Sequence, residues 1–68
     1  MLVTCINDKT NGKNRILETG KIYEASIDES KPNCFKIVFT REELDRKKIS
    51  KKMPLAKYFK KDRFIVVE

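Results

Sequence analysis

Apolar and polar residues along this chain alternate in short blocks, each closed by turn chemistry. "MLVTCIND" alternates weakly and is rich in β-branched residues, which predicts a strand over residues 2–6. The polar stretch from Asn7 to Arg15 holds Asn and Gly, residues that tolerate positive φ, and reads as a loop or wide hairpin. Gly20 marks a turn or bulge. A second strand follows from Ile22 to Ile27, with Tyr23, Ala25 and Ile27 on one side. "DESKPN" is a polar turn around Pro32. In "CFKIVF", Phe35, Ile37 and Phe39 share one face at period two and Lys36 opens the other, the clearest strand of the chain. Ile37→Asp should therefore unfold the domain by burying an unpaired charge. "RFIVVE", residues 63–68, predicts the last strand.

The segment between the third and last strands is harder to read. Thr40 stands three residues before Glu43, the spacing at which hydroxyl and carboxylate each satisfy a free backbone donor. Acids come first and cations follow, the order a helix dipole favours. This predicts a short helix over 41–48 with Leu44 as its one buried residue. The competing reading is a charged hairpin arm, with Ile49 and Met53 facing inward from an edge strand. Pro54 breaks either element, and "PLAKYF" predicts one helical or 3₁₀ turn before the final strand. Short strands with one or two helical turns predict a mostly β domain, a strongly bent antiparallel sheet or partly closed barrel. Sixty-eight residues allow a single domain, 1–68, with a charged insert at about 41–52.

Three stretches carry a resemblance: Val3, Cys5 and Ile6 in the opening strand, Leu17, Gly20, Lys21 and Tyr23 in "LETGKIY", and Phe64 in the closing strand. Together they resemble small SH3-like proteins of bacteriophages and prophages, over about the first 40 residues and the last 15. The resemblance implies a five-stranded SH3-like barrel, a phage or prophage origin, and no catalytic motif. The chain departs from that group between Arg41 and Lys52, where a dozen mostly charged residues replace a tight turn.

Charge sharpens the picture. The net charge is +6, with 38% of residues charged. Residues 46–68 hold nine cations and two anions, whereas residues 1–45 are close to neutral. Such asymmetry speaks to partners rather than to fold. Chemistry is poorly supplied. With two cysteines and no histidine, the chain lacks the four ligands of a structural zinc, a two-cysteine site shared across a dimer being the lesser alternative, and it lacks the base of an acyl-transfer dyad. Cys5 and Cys34 read as reduced, core-facing residues of a cytoplasmic protein, in a bacterial host as the resemblance implies, a single disulfide being the lesser alternative. Adjacent acids such as Glu42 and Glu43 diverge rather than converge on one bond. Gly12 and Gly20 are isolated and cradle no phosphate. The chain is expected to be no enzyme and to need no cofactor or metal. It has no run of about 18 apolar residues to span a membrane, and "MLVTCINDK" lacks the pattern of a secretory leader.

Binding is what these residues can do. Arg46, Lys47, Lys48, Lys51, Lys52, Lys57, Lys60, Lys61 and Arg63, with Tyr58 among them, form the candidate site. Cations release counterions from phosphates, and an aromatic ring can stack on a base. Lysine dominates, so binding to nucleic acid should tolerate any sequence and fall with salt. Alternatively, the same surface docks on an acidic host protein by charge complementarity, or the segment pairs with itself in a homo-oligomer. The bland alternative is a solvated face in which long cationic stems only cover the surface. On the binding reading, replacing Lys47, Lys48, Lys51 and Lys52 with Glu abolishes binding and leaves the fold intact.

Overall fold

The computed structural model describes residues 1–8, 16–49 and 51–68. Five strands form one antiparallel sheet: β1 (Leu2–Cys5), β2 (Ile22–Ile27), β3 (Cys34–Val38), β4 (Ala56–Lys60) and β5 (Phe64–Val66). The spatial order is β4-β3-β2-β1-β5, so four strands meander and the fifth returns beside the first. A helix, α1 (Arg41–Arg46), lies between β3 and β4, and one 3₁₀ turn (Lys61–Arg63) joins β4 to β5. Four strands and the helix fall where the residue pattern predicts them. The expected turn over "PLAKYF" does not: Ala56–Lys60 is strand β4, and the 3₁₀ turn comes one segment later. Pairing with β3 overrides the local preference, since Phe59 meets Phe35 and packs against the core. Most of the stretch expected to be a loop, 9–15, lies outside the described residues.

Alternation along the strands sets two faces. Val3, Cys5, Tyr23, Ala25, Phe35, Ile37 and Phe64 point inward and are buried, joined by Leu17, Phe39, Leu44 and Ile49 from the connections. Each such large apolar side chain contributes roughly 1.5–3 kcal/mol on leaving water. The sheet curls around this core. Phe59 of β4 lies edge-on to Phe64 of β5 at 6.3 Å, and Phe64 lies edge-on to Phe35 at 6.0 Å. No hydrogen-bonded pairing joins β4 to β5 among the described residues, so the curl is held by rings rather than by a closed ladder. The 3₁₀ turn fixes it at one end: Lys61 N–H donates to Asn33 O, and Ile6 N–H donates to Arg63 O at 2.8 Å.

Helix α1 settles the two readings of the charged segment. Thr40 Oγ1 accepts from Glu43 N–H at 3.2 Å, as the cap spacing predicts. The helix ends in a Schellman motif, in which Ile49 N–H donates to Leu44 O and Lys48 N–H to Asp45 O. Lys48 occupies the left-handed position at φ 59°. Leu44 and Ile49, the apolar pair of that motif, are both buried. Ile49 thus faces inward, as the hairpin reading also required, but from a helix terminus and not from a strand.

Candidate nucleic-acid interface

The outer face of the sheet carries the residues that alternate with the core. Three cross-strand rows matter. Ser26, Lys36 and Tyr58 lie side by side on β2, β3 and β4, and Cys34 pairs with Lys60 in the next row. In a third, Ile22 of β2 and Ile65 of β5 flank Thr4 of β1. Between the basic rows and the Ile22–Ile65 row runs a row of Leu2, Glu24, Val38 and Ala56, with Glu24 exposed.

The basic side is organised around Tyr58. Its hydroxyl donates to Asp28 Oδ2. Asp28, the first residue of the turn after β2, also accepts at Oδ1 from Ser30 N–H at 2.9 Å and from Ser30 Oγ at 2.8 Å. The Tyr58 hydroxyl, then the two Ser30 bonds, hold the Asp28 carboxyl down at about 2, with Lys36 adding to the effect. The same bond pushes the Tyr58 phenol above its ordinary range. Lys31 lies over the Tyr58 ring with its ammonium 4.8 Å from the centroid. Lys36 is the cross-strand neighbour of Tyr58, and Lys60 lies two residues along β4 on the same face.

The ten residues singled out from the sequence divide into groups. Arg46 and Lys48 at the end of α1, and Lys51 and Lys52 in the turn beyond it, are exposed. Lys57 is exposed on β4 but belongs to the opposite face from Tyr58 and Lys60, paired with Ile37. Lys60 and Tyr58 share the outer face. Lys61 sits half-buried on the 3₁₀ turn, its ammonium 5.4 Å from the centre of the Phe35 ring, and Arg63 is half-buried beside it. The two ends of β4 stand roughly 13 Å apart at the usual strand rise. The 46–52 cations precede one end and Lys60 to Arg63 occupy the other.

Lys47 belongs to none of these. Its ammonium donates to Ile16 O at 2.7 Å and to Glu43 Oε2 at 3.3 Å, and lies 3.6 Å from Glu18 Oε1. Lys21 Nζ reaches the same Glu43 oxygen at 2.9 Å. Burial pushes the Glu43 carboxyl up, but the hydrogen bonds and charges of Lys21 and Lys47 outweigh it and hold the group below the usual range. Two nearly buried side chains of opposite charge therefore pin α1 to the segment that leads into β2. This geometry argues against the expectation that Lys47, together with Lys48, Lys51 and Lys52, can be replaced with Glu and leave the fold intact.

Cys5 is fully buried, and burial raises its thiol. Cys34, expected to face the core, lies half-buried on the outer face opposite Lys60, because it alternates with Phe35. Both thiols are free. Among the described residues no cluster of three His, Cys, Asp or Glu stands ready to hold a metal ion, and no helix is long and apolar enough to cross a membrane.

Counting cations only in the last third of the chain missed Lys31, Lys36 and Asp28. Lys36 was legible as the residue opposite Phe35 and Ile37, but its neighbour Tyr58 is set by the β3–β4 register, with a 17-residue connection in between. Comparison with protein-family models, with curated proteins and with solved structures found no match to this chain.

Proposed function

We propose that this protein is a non-enzymatic binding module that holds nucleic acid, without strong sequence preference, on the basic side of its sheet. The observation that carries the reading is the row Lys36–Tyr58, with Lys60 beside it and Lys31 over the ring. Lysine ammonium groups attract phosphates as point charges and read no base edges. The exposed Arg46, Lys48, Lys51, Lys52 and Lys57 extend the positive field and steer a polyanion toward the molecule. The strand order and the 3₁₀ turn before β5 support reading the curled sheet as an SH3-like barrel. With the "VTCI" and "LETGKIY" stretches, they support a phage or prophage product acting in a bacterial cytoplasm.

The reading is tested by fluorescence anisotropy of a labelled oligonucleotide across a salt series, with wild type and Lys36→Glu/Lys60→Glu. Affinity should fall linearly on a double-logarithmic salt plot, and the variant's slope should be shallower by about 0.7 for each single-strand phosphate it no longer neutralises. Equal slopes for the two proteins would remove this face from the interface.

One observation favours a second reading, an interaction module for an acidic host protein. Ile22 and Ile65, 54% and 56% exposed, flank Thr4 on the same face, one row beyond Glu24 from the basic rows. An acidic protein segment with an apolar edge would match both halves. Capture of such a protein from nuclease-treated lysate, with no retention of oligonucleotides, would favour it.

A further inference from the structure

The Tyr58 hydroxyl and the face of the Tyr58 ring are both occupied by the protein's own side chains. The Asp28 carboxylate accepts from the Tyr58 hydroxyl and feels the charge of Lys36, and a cation, Lys31, covers the ring. Ser30 orients the carboxylate through two bonds, so Asp28 is placed and not merely nearby. Asp28 and Lys31 both belong to the short turn between β2 and β3, which Lys31 N–H closes by donating to Asp28 O at 2.9 Å. One turn therefore supplies both occupants, and displacing it uncovers ring and cations together.

Resting on the nucleic-acid reading above, we propose that the site takes a single strand, and that this strand displaces the Asp28–Lys31 turn. A base takes the place of Lys31 against the Tyr58 ring, and a phosphate takes the place of the Asp28 carboxylate near Lys36 and Lys60. Only an unpaired base offers a free face to a ring on the outside of a sheet. A duplex keeps its bases stacked and meets the same surface through phosphates alone. Asp28 then limits affinity, because its charge opposes the incoming phosphate, and it favours ligands whose base can compensate by stacking.

The test measures binding of an oligo-dT strand and of a duplex of equal length, at low salt, to wild type, Asp28→Asn, Tyr58→Phe and Tyr58→Ala. Asp28→Asn should bind the single strand severalfold more tightly. Tyr58→Phe, which keeps the ring and loses the bond to Asp28, should bind at least as well as wild type. Tyr58→Ala should lose roughly tenfold or more for the single strand and little for the duplex. The chain has two tyrosines and no tryptophan, and Tyr23 is buried, so tyrosine emission changing with added strand reports Tyr58. Phenol titration gives a readout independent of binding: the raised Tyr58 value should fall toward the ordinary one of about 10 in Asp28→Asn. Weaker binding by Asp28→Asn, or equal losses for strand and duplex in Tyr58→Ala, would overturn the displacement and leave the nucleic-acid reading standing. Failure of every protein to bind either nucleic acid would overturn both.

Discussion

At the scale of single residues, two positions show how local geometry outruns residue type. Gly20 has φ 90° and donates its N–H to Cys5 O at 2.7 Å, so the turn before β2 sits where glycine is expected. Lys48 adopts φ 59° at the end of α1, a place that glycine or asparagine usually marks. Nothing in "DRKKIS" announces it, and the helix end was legible only to within a few residues. A left-handed lysine costs roughly 1–2 kcal/mol relative to glycine, offset in part by the greater freedom of glycine in the unfolded chain. Lys48→Gly should therefore raise stability by about 0.5–1 kcal/mol, measured as a shift in the urea midpoint at unchanged slope. A lower midpoint would mean that the Lys48 side chain contributes more to the fold than its exposure suggests.

At the scale of elements, the strands were legible because their core positions alternate without interruption, as in Phe35–Ile37–Phe39. The sequence also placed Thr40 as a cap and Leu44 as the helix anchor. Its blind spot was long-range charge pairing. The spacing makes Glu43 the far end of a capping box, whereas its carboxylate faces Lys21 and Lys47. No spacing rule joins residue 21 to residue 43. Nor did local propensity reveal that Ala56–Lys60 would be a strand, since its partner β3 supplies the hydrogen bonds. The charge cluster makes a prediction at this scale. Lys47→Glu leaves Glu43 and Glu18 facing a third carboxylate and should cost about 3 kcal/mol or more. Lys48→Glu and Lys51→Glu, both exposed, should stay within about 0.5 kcal/mol of wild type. Because the Glu43 carboxyl is held below its unfolded value of 4.5, its contribution is complete above that pH and is lost as pH falls through the folded value. Thermal melts from pH 6 to pH 2 should show this loss in wild type and a smaller one in Glu43→Gln. Equal acid sensitivity would place the titrating group elsewhere.

At the scale of the whole molecule, the cations from Arg46 to Arg63 do not all share one face, although their crowding in the sequence suggests a single patch. Lys57 and Lys60 lie three residues apart on β4 and belong to opposite faces, and Lys47 is part of the scaffold. What the sheet assembles is a smaller cluster drawn from three places: Lys31 in a turn, Lys36 on β3, and Tyr58 and Lys60 on β4. Asp28, from the same turn as Lys31, stands within it. The most direct test of this cluster as the interface is a titration of the ¹⁵N-labelled protein with oligo-dT, following backbone amide shifts at low salt. The account predicts the largest changes at Asp28, Lys31, Lys36, Tyr58 and Lys60, with small ones around Arg46 to Lys52. Changes centred on the 46–52 segment, with the Tyr58 row unmoved, would contradict it.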